Sequence, residues 1–207
     1  MDAELNPAQR LRTLGQSLWL DSINRVMLRT GALARYVRDL AVTGLTSNPT
    51  ILGHAMAAGS DYDSSLARLA ADGVTDAQDL VYALALEDLA EAAALFRPAW
   101  EQTEGVDGYV SVEVPPGVAY DATATVALAR RLYDQAGFPN LLVKIPGTPQ
   151  GLAAAVVAAR PTDRRSSAPR PRPSWPTLRS QSPPWCSSRG MEHWSASGWT
   201  APDCSTG

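Results

Sequence analysis

The chain's 18 basic residues are 17 arginines and a single lysine, Lys144. That lysine sits in the aliphatic segment Leu141-Leu142-Val143-Lys144-Ile145-Pro146. Arginine stays protonated at any accessible pH, whereas a desolvated lysine can lose its proton and attack a carbonyl carbon. The chemistry indicated is Schiff-base formation with Lys144 as nucleophile. A strand-end lysine that reaches solvent along its methylene stem fits the same residues. A Schiff-base enzyme needs a neutral amine, and free lysine titrates near ~10.4. The neighbours Leu142, Val143 and Ile145 are expected to lower that value by desolvation. Proton carriers are needed as well. Asp21 and Glu113 end two other aliphatic segments and are the candidates. Asp21 also suits a helix cap, and Glu113 a solvated sheet face. In Thr46-Ser47-Asn48-Pro49-Thr50, Asn48 is suited to hold a substrate hydroxyl, while Ser47 and Thr50 read as an ordinary turn into a helix. His54 reads as a surface or packing residue, and Asp61-Tyr62-Asp63 as a solvated loop.

Four short aliphatic segments carry these groups: Ser17 to Asp21, Ala41 to Thr46, Gly108 to Val114, and Leu141 to Pro146. The stretches between them read as helices. Thr75-Asp76-Ala77-Gln78 has capping-box form before an Ala/Leu-rich helix to about Trp100. Asp121 is placed to cap a helix through Gln135 that Gly137 stops. Thr148-Pro149 reads as an N-cap and first helical residue, and Leu33 to Leu40 as a shorter helix. Strands alternating with helices predict a parallel sheet. Period 2 puts Val110, Val112 and Val114 on one face and Ser111 and Glu113 on the other. It puts Leu141, Val143 and Ile145 opposite Lys144. Carboxylate and amine therefore share the face turned away from the helices, near the strand ends where parallel barrels place reactive groups.

Composition divides the chain near residue 160. Residues 1–160 carry 12 basic and 18 acidic residues, a net of −6. Residues 161–207 carry 6 arginines and 3 acids, a net of +3, with 8 of the 16 prolines and 4 tryptophans. That segment holds one leucine and no valine, isoleucine, phenylalanine or tyrosine. It has too little aliphatic surface to offset its ordering entropy and is expected to be disordered. The body is acidic, which argues against nucleic acid as its partner. Arginine and tryptophan in the tail would suit a single-stranded nucleic acid, but at modest density. The N-terminus lacks a basic and an apolar signal region, and no apolar run approaches a membrane span. Cys186 and Cys204 have no zinc-type spacing. A cytoplasmic protein without metal is expected.

Taken together, Ser17-Leu18-Trp19-Leu20-Asp21, Gly44-Leu45-Thr46-Ser47-Asn48-Pro49-Thr50-Ile51, Ser111-Val112-Glu113-Val114 and Lys144-Ile145-Pro146-Gly147-Thr148 resemble the first four strand motifs of bacterial transaldolases, in order and spacing. The resemblance covers about residues 10–159. It implies an α/β chain with the first four β/α units of a (β/α)8 TIM barrel. It implies transfer of a dihydroxyacetone unit between sugar phosphates in the pentose phosphate pathway, with no cofactor. By motif match, Lys144 would form the Schiff base and Asp21 would be the acid/base. Glu113 would work through a bound water. Asn48, Thr46 and Ser111 would bind substrate.

After Ala159 the resemblance stops. The family's fifth strand carries an Asn-x-Thr motif, and later strands supply a serine and arginines for the substrate phosphate. Residues 161–207 have no counterpart of these. Their Arg/Pro/Ser/Trp/Cys bias is what a GC-rich gene yields in a wrong reading frame, and the gene sequence would decide that point. Half a barrel leaves two strand edges open and its interior wet. Self-association through those edges is expected, with another Schiff-base aldolase or a non-catalytic fragment as the alternative readings.

Overall fold

The computed structural model describes residues 5–47, 53, 56 and 59–159. Asn48, Thr50 and His54 lie outside the described residues, as does the whole segment 160–207.

From the second element onward, each strand is followed by one or two helices. Helix α1 (Pro7–Thr13) precedes β1 (Leu18–Leu20), and α2 (Arg25–Arg29) and α3 (Ala32–Leu40) lead into β2 (Val42–Thr46). Helices α4 (Asp63–Ala71) and α5 (Ala77–Gln102) lead to β3 (Val110–Glu113). Helix α6 (Ala122–Ala136), β4 (Leu141–Lys144) and α7 (Pro149–Ala158) complete the set.

Caps set most of these boundaries. Asn6 and Gln9 form a reciprocal capping box that starts α1, an element absent from the sequence reading. Asp76, not Thr75, caps α5: its carboxylate accepts from the Asp79 amide at 2.9 Å. The cap therefore lies one residue later than the capping-box pattern suggests. Asp121 accepts from the Ala124 amide, and Gly137 ends α6 in the left-handed region at φ 68°. Thr148 accepts from the Gly151 amide and starts α7 with Pro149 as its first residue.

The four strands form one parallel sheet in the order β1-β2-β3-β4. Parallel strands need covered faces, and here the cover is helical on one side. Val42, Leu45, Val110, Val112, Val114 and Leu141 point into a core with Leu33 of α3, Leu89 and Phe96 of α5, and Leu128 and Leu132 of α6. Burying a side chain of this size stabilises by roughly 1.5–3 kcal/mol, so this layer carries much of the fold. Asn140 ties the bottom of β4 to its neighbours. It is buried, and its amide donates to the carbonyls of Ala93 and Gly108, each at 2.9 Å. No helix among the described residues is long and apolar enough to cross a membrane.

Candidate active site

Register and alternation together build the face opposite the helices. Thr46 pairs with Ser111, Ser111 with Leu142, and Glu113 with Lys144. Register partners in a parallel sheet point the same way, so these side chains form two rows across the strand ends. One step lower, Trp19 pairs with Gly44, and a Cβ at residue 44 would lie 2.5 Å from the indole. The indole therefore lies across Gly44, and a larger residue there would make the Trp19 side chain shift.

Lys144 Nζ donates to Glu113 Oε2 at 3.0 Å, and the two side chains are 44% and 32% exposed. The desolvation expected from Leu142, Val143 and Ile145 is not found. Val143 and Ile145 pack on the core on the opposite face, and Leu142, which does share the face of Lys144, is itself exposed. Period 2 is the reason: the immediate neighbours of a strand residue never line its own side of the sheet.

The main chain beneath Glu113 is held from behind. The Tyr82 hydroxyl of α5 donates to the Glu113 carbonyl at 3.1 Å. Burial pushes that phenol up to about 12, with Arg131 acting against the rise and Glu113 adding to it. Ser47 fastens the other side. Its amide and its hydroxyl both donate to the Ser111 carbonyl, at 3.0 and 2.9 Å. Ser47 is thus a buried tie between β2 and β3, where the sequence suggested an ordinary turn.

Thr46 Oγ1 and Ser111 Oγ are buried, and neither finds a hydrogen-bond partner among the described residues. A buried hydroxyl left unpaired costs about 1–3 kcal/mol. Two of them stand side by side by register, one row below the Glu113–Lys144 pair.

Asp21 follows Leu20 directly, and Leu20 pairs with Leu45, so Asp21 stands at the level of Thr46 on the neighbouring strand end. It is exposed and has no hydrogen-bond or ion-pair partner among the described residues. It does not cap the next helix, because Asn24 does, accepting from the Met27 amide at 2.9 Å. Strand order leaves Asp21 three strands from Lys144.

A buried network anchors the turn that carries Asp21. Arg25 Nε donates to Asp88 Oδ1 at 2.8 Å, Nη1 to Ser65 at 2.7 Å and Nη2 to Glu87 at 2.8 Å. The Tyr62 hydroxyl donates to Asp88 Oδ2 at 2.6 Å, and the guanidinium lies 4.4 Å from the Tyr62 ring centre. Tyr62 is 1% exposed. Asp63 beside it is exposed, but the solvated reading is overturned for Tyr62. No local pattern signals it, because the partners of Tyr62 lie 26 and 37 residues away. Burial pushes the Tyr62 phenol up, aided by Asp88. Burial also raises the Asp88 carboxyl, with the Tyr62 and Arg25 hydrogen bonds opposing it.

A parallel sheet with helices packed on one face, and polar and charged groups gathered on the other at the strand ends, is the construction of a β/α-barrel protein. Its family is given by comparison. Residues 18–159 match the family model described as Transaldolase/Fructose-6-phosphate aldolase, and the chain belongs to that family. It is 45% identical over 150 residues to the transaldolase of Thiobacillus denitrificans, covering 72% of this chain and 42% of that protein. It is 44% identical over 153 residues to the transaldolase of Thermobifida fusca, covering 74% and 41%. For the transaldolase of Trichodesmium erythraeum the identity is 36% over 152 residues, covering 72% and 39%. The chain thus spans about two fifths of the length of the curated relatives it matches.

Proposed function

We propose that this chain carries the Schiff-base half of a transaldolase. Its reaction is transfer of a dihydroxyacetone unit between sugar phosphates, with sedoheptulose 7-phosphate and glyceraldehyde 3-phosphate giving erythrose 4-phosphate and fructose 6-phosphate. The observation that supports it most is the Lys144–Glu113 pair at 3.0 Å on the inner face of the sheet, beside the unpaired hydroxyls of Thr46 and Ser111.

In this reading the Lys144 amine adds to the ketose carbonyl carbon. The carbinolamine loses its hydroxyl as water, leaving the protonated Schiff base. Glu113, already in contact with the amine, relays protons through a bound water in these steps. Asp21 takes the proton of the hydroxyl next to the breaking carbon–carbon bond. The electron pair of that bond moves toward the Schiff-base nitrogen, and the aldose phosphate leaves. The same steps in reverse join the retained three-carbon unit to the acceptor aldehyde and free Lys144. Asn48, outside the described residues, is assigned with Thr46 and Ser111 to the hydroxyls of the three-carbon unit. The location proposed is the cytoplasm.

A second reading has an observation of its own. Lys144 is 44% exposed, so its amine is not withdrawn from water as a Schiff-base nucleophile needs. In that reading the chain is a non-catalytic portion of the family fold.

Borohydride reduction of the chain in the presence of fructose 6-phosphate, followed by intact mass, separates the two. The expected result is a single reduced adduct that disappears in Lys144→Arg. With only one lysine in the chain, the N-terminal amine is the other possible primary-amine site, and the variant distinguishes it. No adduct, with a full-length relative labelled in parallel, overturns the enzymatic reading.

A further inference from the structure

The chain from Leu20 to Arg25 is fixed at three points. Leu20 is held in the sheet against Leu45 and packs on the core. Ile23 is 2% exposed and lies within the core. The Arg25 amide donates to the Tyr62 hydroxyl at 3.1 Å, and that hydroxyl donates onward to Asp88 at 2.6 Å. The Arg25 guanidinium reaches Ser65 of α4 and Glu87 and Asp88 of α5. Asp21 lies between the first two of these points. Leu20 faces the helices, so alternation puts Asp21 on the inner face at the level of Thr46. Its backbone is tied down on both sides while its carboxylate is left without a partner among the described residues.

Stability alone does not call for a charged cluster at this place. Replacing a buried ion pair by apolar side chains of similar volume is often neutral or stabilising. What the polar cluster adds is direction. Each donor of Arg25 meets its own acceptor, at 2.8, 2.7 and 2.8 Å, so the cluster fixes where the backbone at Arg25 stands. A carboxylate that must meet one particular hydroxyl of a bound sugar needs such fixing, since a misplacement of about 1 Å can cost about a hundredfold in rate. Lys144 stands three strands from Asp21 and shares no hydrogen bond with the cluster.

We propose that Tyr62, Asp88 and Arg25 are positioning residues for Asp21, acting on the step that breaks or makes the carbon–carbon bond and not on formation of the Schiff base. The inference rests on the acid/base role given to Asp21 above. None of the three touches the sugar. They hold the turn from which Asp21 reaches it.

The test uses the full chain, fructose 6-phosphate and borohydride, with intact mass read at successive quench times. Two adducts on Lys144 differ in mass. One carries the six-carbon phosphate held before the bond breaks, and the other the three-carbon unit left when glyceraldehyde 3-phosphate departs. Their sum reports Lys144, and their ratio reports the step assigned to Asp21. Tyr62→Phe keeps the ring and removes the hydroxyl. Its summed adduct is expected to equal the parent's, while the three-carbon adduct forms about tenfold to a hundredfold more slowly. In an Asp21→Asn background the same change is expected to have no further effect. A merely structural role would lower both adducts together in both backgrounds, and that result overturns the proposal. So does a folded Tyr62→Phe whose adduct ratio follows the parent's. If circular dichroism shows that Tyr62→Phe does not fold, Ser65→Ala removes one acceptor of Arg25 and must shift the ratio in the same direction. An unchanged ratio there overturns the proposal equally. A parent that forms no adduct removes the enzymatic reading and this inference with it, whereas a parent that forms both adducts leaves that reading standing whatever Tyr62→Phe shows.

Discussion

Two ion pairs in this chain differ in what they contribute, and burial is the reason. Lys144 and Glu113 meet at 3.0 Å, but both remain substantially in water. Exposed pairs contribute about 0–1 kcal/mol. Glu113→Gln is therefore expected to leave the thermal midpoint almost unchanged while reducing Schiff-base trapping at Lys144, a split that melting curves and adduct yield would show together. Arg25 and Asp88 are the opposite case, at 14% and 1% side-chain exposure. Asp88→Ala leaves Arg25 with Glu87 as its sole carboxylate and the Tyr62 hydroxyl without its acceptor, so it is expected to cost about 3 kcal/mol, measurable by denaturant unfolding. The pH dependence of Asp88 has a definite sign. Its carboxyl titrates higher in the folded chain, because burial outweighs the hydrogen bonds from Tyr62 and Arg25. Between the unfolded and folded values the folded chain holds the extra proton, so this contribution to stability falls as pH rises through that window. The midpoint of the parent relative to Asp88→Asn is expected to drop as pH rises above the ordinary carboxylate range. A constant difference would show that Asp88 titrates as it does in the unfolded chain.

At the scale of elements, two glycines are set by close approach and not by turn preference alone. Gly151 lies in the first turn of α7, and a Cβ there would sit 1.9 Å from the Pro146 carbonyl oxygen. The contact is with backbone in the loop that leaves Lys144, so it cannot be relieved by a side-chain rotation. Gly151→Ala is expected to push α7 off the end of β4, lowering the thermal midpoint and the trapping yield together. Gly108, at φ +84°, precedes β3, and its Cβ would lie 2.3 Å from the Trp100 amide nitrogen. Left-handed strain alone costs about 1–3 kcal/mol, so Gly108→Ala is expected to cost at least that by chemical denaturation. Helix boundaries set by local caps were readable in advance: Asp121 with Gly137, and Thr148 with Pro149, stand where the sequence placed them. The short helices α1, α2 and α4 were not read. Each has only five to nine residues, too few turns for a period of 3.6 to stand out.

For the whole molecule, the relation to its relatives governs what is expected. The chain matches the family over residues 18–159 and spans about two fifths of those relatives. We place a domain boundary near residue 160, where aliphatic composition ends. Brief trypsin treatment is expected to cut after Arg164 or Arg165, since Arg160, Arg170 and Arg172 each precede proline, and to leave a resistant body whose mass identifies the boundary. A body cut elsewhere at the same rate would remove that boundary.

The sequence by itself determined the strand segments, their parallel arrangement, and the face shared by Glu113 and Lys144. Those follow from periods of 2 and 3.6 residues and from caps, which are local and need no folded chain to be read. It also led to the family, because four short motifs in fixed order are specific together. Only the tertiary structure decided how wet Lys144 is, since exposure depends on what lies across the sheet and not on its chain neighbours. Only the tertiary structure turned Tyr62 from a loop residue into the buried partner of Asp88 and Arg25. That contact spans 26 to 37 residues of chain, and side-chain pairing at such separation leaves no period to detect.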